Sequence, residues 1–191
     1  GGDFIVEQHV HNLDIINWVL DATPLKCIAI GGRQARFKPE GGNNIYDHIA
    51  VEYEYPNGVR VVHMGAQQEG ITGRMDHKII GTKGSPYLDF ENVIIEGQNP
   101  FKYNGQTYDP AIRQHTDQIN AIRNGQYLNE GKRIAESSLT AIMGRMSAYT
   151  GRALKWAWAM KVSELDYTPE KYEFGDLAVL PVAVPGQTQL I

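Results

Sequence analysis

The first recurring pattern in the chain is an apolar residue at every third or fourth position over residues 3–21. This spacing is typical of a helix with one apolar side, and Pro24 follows closely enough to end the helix. A short apolar run at residues 25–30 predicts a strand. Two Gly-Gly pairs and a proline over residues 31–44 then predict a loop of a length that often serves a function.

Residues 48–64 show the clearest strand pattern of the sequence. Apolar and polar residues alternate over residues 48–55, and a second run follows at residues 59–64. The Pro-Asn-Gly sequence at residues 56–58 predicts a hairpin, because Asn-Gly suits a two-residue turn whose positions have positive φ. We therefore expect two antiparallel strands joined by a tight turn.

A two-residue turn also determines which residues of the two strands face each other. Glu52 would lie opposite His63 as a polar cross-strand pair. One face should pack on helices, and the mixed other face is too apolar to remain fully hydrated, so we expect a partner to cover it. In this register one face would carry six apolar side chains: Ile49, Val51, Tyr53, Tyr55, Val62 and Met64.

The rest of the pattern predicts more strands and two helices. Helical spacing covers residues 110–124, with Gly125 as the C-cap, and residues 129–149. We predict an α+β fold with a largely antiparallel β-sheet and helices packed on one face, over residues 1–160. An extended tail over residues 161–191 should pack on the domain or on a partner. Short apolar runs predict four further strands: 75–82, 87–90, 92–96 and 102–103.

Composition narrows the class of protein. Of the 191 residues, 42% are hydrophobic and 21% are charged, which is typical of a folded domain. The net charge of −4 and the lack of a Lys/Arg block argue against a nucleic-acid partner. No apolar run reaches the roughly 18 residues of a membrane helix, so we expect no membrane partner. The single cysteine, Cys27, excludes an internal disulfide.

The densest cluster of polar residues lies in the first predicted helix. On one continuous helix Glu7, His11 and Asp14 would share a face. A carboxylate could then orient an imidazole, and histidine exchanges protons near neutral pH because its ordinary pKa is about 6.5. The pattern fits acid/base chemistry on a bound substrate. It fits equally well a solvated helix face with ordinary side-chain pairs.

Four segments of the chain, taken in order, resemble one known family. Residues 2–14 (GDFIVEQHVHNLD) resemble the GGG-x-L-x-D-x-G-x-H-x-x-D segment that opens the C-terminal domain of the Gfo/Idh/MocA oxidoreductases. Residues 79–84 resemble the family's GTxG strand end, and residues 119–125 its F-x-x-A-I-x-x-G helix. Residues 130–152 resemble its E-G…S-x-x-x-G-R helix. The resemblance covers roughly residues 2–160.

The resemblance implies that this chain is the substrate-binding and catalytic half of an NAD(P)-dependent oxidoreductase acting on a hydroxyl of a sugar, inositol or related polyol. The family's acid/base histidine falls on His11, and the carboxylate that orients it or binds the sugar falls on Glu7. A third family position falls on Asp14. Glu7 stands where the family has Asp, and His9 stands where it has Gly. His9 would therefore narrow the pocket or add a polar contact.

In this family the NAD or NADP cofactor is bound by an N-terminal Rossmann domain. This sequence contains no strand–GxGxxG–helix unit, so we expect no cofactor bound to this chain and no turnover by it alone. The sequence begins at Gly1 rather than at methionine, so we expect its own Rossmann domain and any targeting signal to precede it. The sequence is consistent with either a cytoplasmic or a periplasmic location.

Two further residues complete the predicted substrate site. His48 follows the glycine-rich loop, and Arg33 within that loop could meet an anionic or polyhydroxylated substrate. The plainer interpretations are a histidine that begins a strand and a solvated arginine. The predicted site thus has two catalytic residues, His11 and Glu7, and four substrate-binding residues, Asp14, His9, His48 and Arg33.

Three other functions are consistent with the sequence. Some relatives of the family oxidise a glycoside, eliminate its aglycone and reduce the product again, which would also use His11. Glu7, His9, His11 and His48 could instead bind a metal, although His9 would point away from the other two on a helix. The chain could also be a non-catalytic module whose sheet mediates assembly. Since family members commonly pair through the open sheet face, the resemblance implies a homodimer or homotetramer.

Overall fold

The computed structural model describes residues 3–35, 44–164, 166, 168–175 and 181–191. The chain divides into two compact units. Unit 1 comprises Gly1–Gly70 and Gly131–Ile191, and unit 2 comprises Ile71–Glu130. Residues 36–43 of the predicted loop and residues 176–180 of the predicted tail lie outside the described residues.

In the described residues two helices, a run of seven strands, two further helices, a short strand and a last helix follow one another, and the sequence pattern did not predict the last two elements. The helices are α1 (Asp3–Glu7), α2 (Val10–Leu20), α3 (Pro110–Arg123), α4 (Gly131–Thr150) and α5 (Trp156–Lys161). The strands are β1 (Lys26–Gly32), β2 (His48–Glu54), β3 (Arg60–Ala66), β4 (His77–Lys78), β5 (Gly84–Leu88), β6 (Val93–Gly97), β7 (Phe101–Lys102) and β8 (Leu154–Lys155). None of the helices in the described part of the chain is both long enough and apolar enough to cross a bilayer.

Two short helices open unit 1, where the pattern predicted one long helix. The backbone N–H groups of Gln8 and His9 both donate to the carbonyl oxygen of Phe4, at 2.9 and 3.0 Å, which ends α1. α2 then begins at Val10. The predicted helix over residues 3–21 is therefore interrupted by a two-residue turn, because two successive amides share one acceptor at the end of α1.

The sheet of unit 1 is covered on one face by helices. Its strand order is β3-β2-β1-β8, and each neighbouring pair is antiparallel. The side chains of Ile49, Val51 and Tyr53 on β2 are buried. A Cβ atom added at Gly144 of α4 would lie 2.4 Å from the Tyr53 hydroxyl, so α4 approaches β2 closely only because this residue is glycine. The buried core lies between this sheet and α1, α2 and α4.

The turn between β2 and β3 has three residues rather than the predicted two. Pro56–Gly58 forms one 3-10 turn in which Asn57 has φ +61°. The N–H of Tyr55 before the turn donates to the carbonyl oxygen of Val59 after it, at 2.9 Å. The extra residue shifts the pairing of the two strands by one position, and such a shift moves every side chain of one strand to the other face.

The shifted register changes which side chains face the helices. Glu52 lies opposite Val62 and His63 lies opposite Val51, so the predicted pairing of Glu52 with His63 is wrong. His63 belongs to the helix-covered face together with Val51. Val62 and Met64 are 65% and 67% exposed on the other face, which we name the open face, so the prediction that they join the buried face is also wrong.

Unit 2 has its own antiparallel sheet, with strand order β4-β5-β6-β7. In α3 the Asp109 side chain accepts hydrogen bonds from the N–H groups of Ala111 and Ile112, at 2.8 and 3.3 Å, and caps the helix. The helix is followed by Gly125 with φ +65°, as predicted. The antiparallel α+β class is therefore confirmed.

The prediction of one continuous sheet is wrong. The strands of the described chain form two sheets, because β3 is an edge strand of the first sheet and no strand covers residues 67–76. Pairing restarts only at β4. Alternating hydropathy identifies individual strands, but it does not identify the sheet to which each strand belongs.

The described end of the chain contacts unit 1. Val182 and Ala183 pack against the core, and the Tyr46 hydroxyl donates to the carbonyl oxygen of Ala183 at 2.8 Å. The N–H of Gly186 donates to the carbonyl oxygen of Thr150 at 2.9 Å. The described residues of the tail do not cover the open face, because the apolar side chains of that face remain exposed.

Candidate active site

The two residues predicted to be catalytic lie on either side of the turn between α1 and α2. Glu7 is the last residue of α1, and His11 is the second residue of α2. Both side chains are exposed. Among the described residues no hydrogen bond or ion pair joins Glu7 to His11, and α1 ends before α2 begins between them. They are two accessible groups on one short segment of the chain.

Gln8 and His9, which we name the α1–α2 junction, make side-chain contacts with β3 and with the residue that follows it. The Gln67 amide donates to the Gln8 side-chain oxygen at 2.5 Å. The Nδ1 atom of His9 lies 3.0 Å from the Nε2 atom of His63, so one imidazole donates to the other. The His9 ring also meets the Phe4 ring edge-on, with centroids 4.9 Å apart.

His9 is held in its neutral form by its surroundings. Burial lowers the pKa of His9 below its ordinary value, because the charged imidazole loses hydration. A neutral imidazole has one donor and one acceptor nitrogen, which is what a pair of facing histidines requires. The predicted contact of His9 with substrate stays a prediction, and its contact with His63 was missed because of the register error.

Asp14, predicted to bind substrate, binds two residues of α4. Arg133 Nη1 donates to one carboxylate oxygen at 2.5 Å, and Ser137 Oγ donates to the other at 2.6 Å. These contacts join α2 to α4. Any role of Asp14 in substrate binding would have to coexist with them.

A polar network that the sequence did not reveal continues this contact between α2 and α4. The Asn17 amide donates to Thr140 Oγ1 at 3.1 Å, and its oxygen accepts a hydrogen bond from the Tyr55 hydroxyl at 2.6 Å. The Tyr53 hydroxyl donates to the Thr140 carbonyl oxygen at 3.0 Å. The one available signal was Asn17 itself, a polar residue within the apolar stripe of the first predicted helix.

His48 is oriented by a buried carboxylate. Asp47 is fully buried, and its Oδ1 atom lies 2.7 Å from His48 Nδ1. Its carboxylate also accepts from the backbone amides of Gln34 and Ala35, at 2.7 and 2.6 Å, and from the Gln68 amide at 3.0 Å. Burial alone would raise the pKa of Asp47, but these hydrogen bonds outweigh it and hold the pKa well below its ordinary value.

His48 and His11 belong to opposite sides of the sheet. Side chains alternate along a strand, and Ile49 is buried against the helices, so His48 points to the open face. His11 lies on α2, which packs on the other face. Arg33 is half-buried beyond the end of β1. Glu7, His9 and His11 therefore lie on one short segment of the chain, and His48 lies on the opposite side of the sheet from His11.

A buried ion pair anchors the start of α1. Asp3 is fully buried, and Arg145 Nε of α4 lies 3.3 Å from its Oδ1 atom. The Tyr149 hydroxyl donates to Asp3 at 2.5 Å, and the Arg145 guanidinium lies 4.1 Å from the centre of the Tyr149 ring. Burial of the hydroxyl, together with its hydrogen bond to Asp3, raises the pKa of Tyr149. No spacing rule in the sequence links these residues.

The described residues contain no group of three or more His, Cys, Asp or Glu side chains placed to hold a metal ion. Glu7, His9, His11 and His48, the residues of the alternative metal site, do not form such a group, and His48 lies on the open face.

Solved structures of oxidoreductases share the fold of this chain. An oxidoreductase from Agrobacterium radiobacter, solved with NAD+, L-tartaric acid and magnesium, matches at 17% identity and a TM-score of 0.57, over 78% of this chain and 47% of its own. An aldose–aldose oxidoreductase from Caulobacter crescentus, solved with glycerol, matches at 16% identity and a TM-score of 0.61, over 76% and 45%. UDP-N-acetylglucosamine 3-dehydrogenase from Acidithiobacillus ferrooxidans matches at 16% identity and a TM-score of 0.63, over 76% and 47%.

The sequence matches no family model and no curated protein. The chain spans about half the length of the solved chains that it matches. At this level of identity the likeness shows a shared fold. The chain therefore has the fold of about half of an oxidoreductase.

The described strand pairs differ from those of a Rossmann domain. A Rossmann domain binds the pyrophosphate at a glycine-rich turn between a parallel strand and a helix, whereas all strand pairs here are antiparallel. Close packing explains two of the glycines: a Cβ atom at Gly31 would lie 2.6 Å from the His48 carbonyl oxygen, and one at Gly32 would lie 3.2 Å from the His48 ring.

Proposed function

We propose that this chain is the substrate-binding and catalytic half of a Gfo/Idh/MocA-type, NAD(P)-dependent oxidoreductase that acts on a hydroxyl of a sugar, inositol or related polyol. The observation that carries the proposal is the presentation of Glu7 and His11 on the two sides of the α1–α2 junction, both exposed, in a fold shared with oxidoreductases. The dinucleotide would be bound by a separate Rossmann domain.

In this proposal His11 takes the proton from the substrate hydroxyl when it is oxidised and returns a proton in the reverse direction. An exposed imidazole suits this task, because it can reach a bound hydroxyl and exchange its proton with water afterwards. Glu7 accepts a hydrogen bond from the substrate or from His11 once the substrate is bound. Its exposure leaves the carboxylate available for either contact.

The names of the matched proteins support a polyhydroxylated substrate. One matched enzyme acts on UDP-N-acetylglucosamine and another on aldoses, by their names. A site with one imidazole and one carboxylate suits such substrates, because neighbouring hydroxyls offer both donors and acceptors. The assay described next determines which substrate is used and whether the cofactor is NAD or NADP.

The test measures turnover in a protein that joins this chain to its dinucleotide-binding domain, with nicotinamide absorbance as the readout and a panel of aldoses, inositols and UDP-sugars as substrates. His11→Ala should lower kcat/KM about 10²–10⁴-fold, the range for loss of a general acid/base. His115→Ala, at an exposed position of α3, is the matched control. Full activity of His11→Ala would contradict the proposal.

Product analysis in the same assay separates two chemistries of this site. Oxidation leaves a ketone or lactone and reduced nicotinamide in equal amounts. Net hydrolysis of a glycoside with unchanged nicotinamide would instead assign the site to the oxidation–elimination–reduction mechanism.

Binding of the cofactor provides an independent test. Calorimetric titration of this chain alone with NAD or NADP should give no saturable heat, because the described strand pairs are antiparallel and a Rossmann turn follows a parallel strand. Micromolar affinity would place the cofactor on this chain and contradict the division of roles.

A second candidate is a non-catalytic assembly module, which the open face of unit 1 favours. Four apolar side chains on this face are more than half exposed, namely Ile28, Ile30, Val62 and Met64. Exposed apolar patches commonly mark interfaces. We propose that the chain forms a homodimer or homotetramer through this face, whether or not it is catalytic. Full activity of His11→Ala would therefore leave assembly as the function of this chain.

A further inference from the structure

The α1–α2 junction separates the two residues to which the proposed function assigns the chemistry. Glu7 precedes the junction and His11 lies two residues after His9. Backbone hydrogen bonds continue across the junction, since the N–H groups of Asn12 and Leu13 donate to the carbonyl oxygen of His9 at 3.0 and 3.1 Å. Side-chain contacts from elsewhere in the fold add to these bonds.

Both residues of the junction have a side-chain partner on or directly after β3. His63 contacts His9 at 3.0 Å, and Gln67 contacts Gln8 at 2.5 Å. Gln67 is itself fixed, because its backbone N–H donates to the carbonyl oxygen of Asp47 at 2.8 Å. The α1–α2 junction therefore has side-chain contacts at two successive positions, one with His63 and one with Gln67.

Gly65 provides the space for the His9 ring. A Cβ atom added at Gly65 would lie 2.1 Å from His9 Cε1 and 2.5 Å from His9 Nδ1, with Phe4 at 3.1 Å. No side chain larger than glycine fits at Gly65 while His9 keeps this place. The ring is enclosed by Phe4, Gly65 and His63, so its Nδ1 atom is aimed at one partner.

The chemistry of the His9–His63 pair indicates that it sets the orientation of the His9 ring and contributes little to the stability of the fold. Val61, His63 and Gly65 alternate onto the helix-covered face of β3, where an apolar side chain would pack without losing hydration. A hydrogen bond between two half-buried imidazoles adds little net stability, because both groups were hydrated before folding. A hydrogen bond does, however, define an orientation that apolar packing leaves free.

We propose that His63 is a positioning residue, which holds the α1–α2 junction through His9 in the space left by Gly65 and so sets the placement of Glu7 and His11. The proposal rests on the proposed function for its catalytic consequence. The structural consequence, a junction whose order depends on the His9–His63 hydrogen bond, does not depend on what the site does.

The experiment uses two substitutions of His63 and one neighbouring control in the 191-residue chain. His63→Leu fills the same space with an apolar side chain and removes the hydrogen bond. His63→Gln keeps one donor and one acceptor. Val61→Ala removes packing from the same face of β3, two residues away. Amide hydrogen exchange over residues 8–13 and the imidazole ¹⁵N resonances of His11 are the two readouts.

His63→Leu should raise amide exchange over residues 8–13 about two- to tenfold, the range for losing one partly buried hydrogen bond. It should also shift the His11 ¹⁵N resonances. His63→Gln should restore most of the protection, and Val61→Ala should leave both readouts as in the unchanged chain. Equal protection in His63→Leu and the unchanged chain, or an equal effect of Val61→Ala, would overturn the proposal.

Gly65→Ala keeps the proposal falsifiable if His63→Leu fails to fold. Its added methyl group displaces the His9 ring while His63 remains, so it should produce the same local exchange over residues 8–13. Unchanged protection in this variant would also overturn the proposal.

The catalytic consequence has a separate readout. In the protein with its dinucleotide-binding domain, His63→Leu should lower kcat with little change in KM and shift the pH profile, and His63→Gln should recover kcat. If His11→Ala keeps full activity while the exchange results hold, the proposed function fails and the structural role of His63 stands. If exchange is unchanged while His11→Ala is inactive, the positioning role fails alone.

Discussion

Unit 1 and unit 2 each contain a four-stranded antiparallel sheet, but only one of the two sheets supports a core. In unit 1 the side chains of Phe4, Tyr53 and Met143 are wholly buried. Between Ile71 and Glu130, all of which is described, Ala121 is the one buried residue. The difference lies in the helices, since α1, α2 and α4 cover the first sheet.

The two units consequently depend on different interactions. Unit 2 relies on local hydrogen bonds, such as those from the backbone amides of Glu91 and Asn92 to Asp89, at 2.8 and 2.6 Å. Unit 1 combines buried apolar area with long-range hydrogen bonds such as Asn17 to Thr140. Burial supplies most of the stability of a folded domain, so substitutions in the two units should have very different effects.

The largest difference is expected for truncation of matched isoleucines. Ile49 of β2 is 1% exposed, whereas Ile95 of β6 is only partly buried. Ile49→Ala should lower the free energy of unfolding by about 2–5 kcal/mol, because it leaves a cavity in the core. Ile95→Ala should have a clearly smaller effect. Urea denaturation measures both, and equal losses would mean that unit 2 has a core of its own.

Addition of one methyl group should separate the units by a smaller margin. Gly144→Ala would force α4 away from Tyr53 and should destabilise the chain by about 1–3 kcal/mol. Gly73→Ala in unit 2 is the control, because its added Cβ atom would meet nothing within 4 Å. That variant should stay within about 0.5 kcal/mol of the unchanged chain. A tolerated Gly144→Ala would show that the layer between α4 and β2 is loose.

The open face of unit 1 should determine the oligomeric state. Light scattering on the chain should give at least a dimer mass, with an interface of more than about 1,000 Å². Ile30→Lys should weaken association about tenfold or more, because it places a charge among apolar side chains. Ile80→Lys in unit 2, where Ile80 is 82% exposed, should leave the mass unchanged. A monomer at tens of micromolar would contradict pairing through this face.

The smallest expected effect is the pH dependence that comes from His9. Burial holds the pKa of His9 in the folded chain below its value of about 6.5 in the unfolded chain. As pH falls below that value, the unfolded chain takes up a proton that the folded chain does not. Stability should therefore fall with decreasing pH and level off below the folded pKa. His9→Asn should flatten this part of the curve, measured by urea denaturation between about pH 8 and pH 5.

The control for this measurement is His115→Asn on the exposed surface of α3, where substitutions change stability little. If His115→Asn flattens the curve as much as His9→Asn does, the pH dependence does not come from the α1–α2 junction.

The sequence predicted well what depends on neighbouring residues. Strand β2 and helix α3 follow from hydropathy spacing and from the glycine at position 125, because each signal lies within the element itself. The register of β3 was wrong, because the turn at residues 56–58 holds one residue more than Asn-Gly alone suggests.

The candidate site was predictable only in part. The exposed pair Glu7 and His11 lies within one short motif, so its residues could be named. The interruption between them was missed, because the apolar spacing continues through residues 8 and 9. The contact of His9 with His63 was missed because the two residues are 54 positions apart along the chain. The burial of Asp47 was missed for the same reason, since its partners Gln34, Ala35 and Gln68 are 13, 12 and 21 residues away along the chain.

That buried carboxylate has a consequence for engineering the chain. Asp47 accepts from the amides of Gln34 and Ala35, and its own N–H donates to the Gly32 carbonyl oxygen at 2.9 Å. One side chain thus joins the segment after β1 to the start of β2. Position 47 is therefore one to leave unchanged when the chain is engineered, because replacing its carboxylate would release Gln34, Ala35 and His48 together.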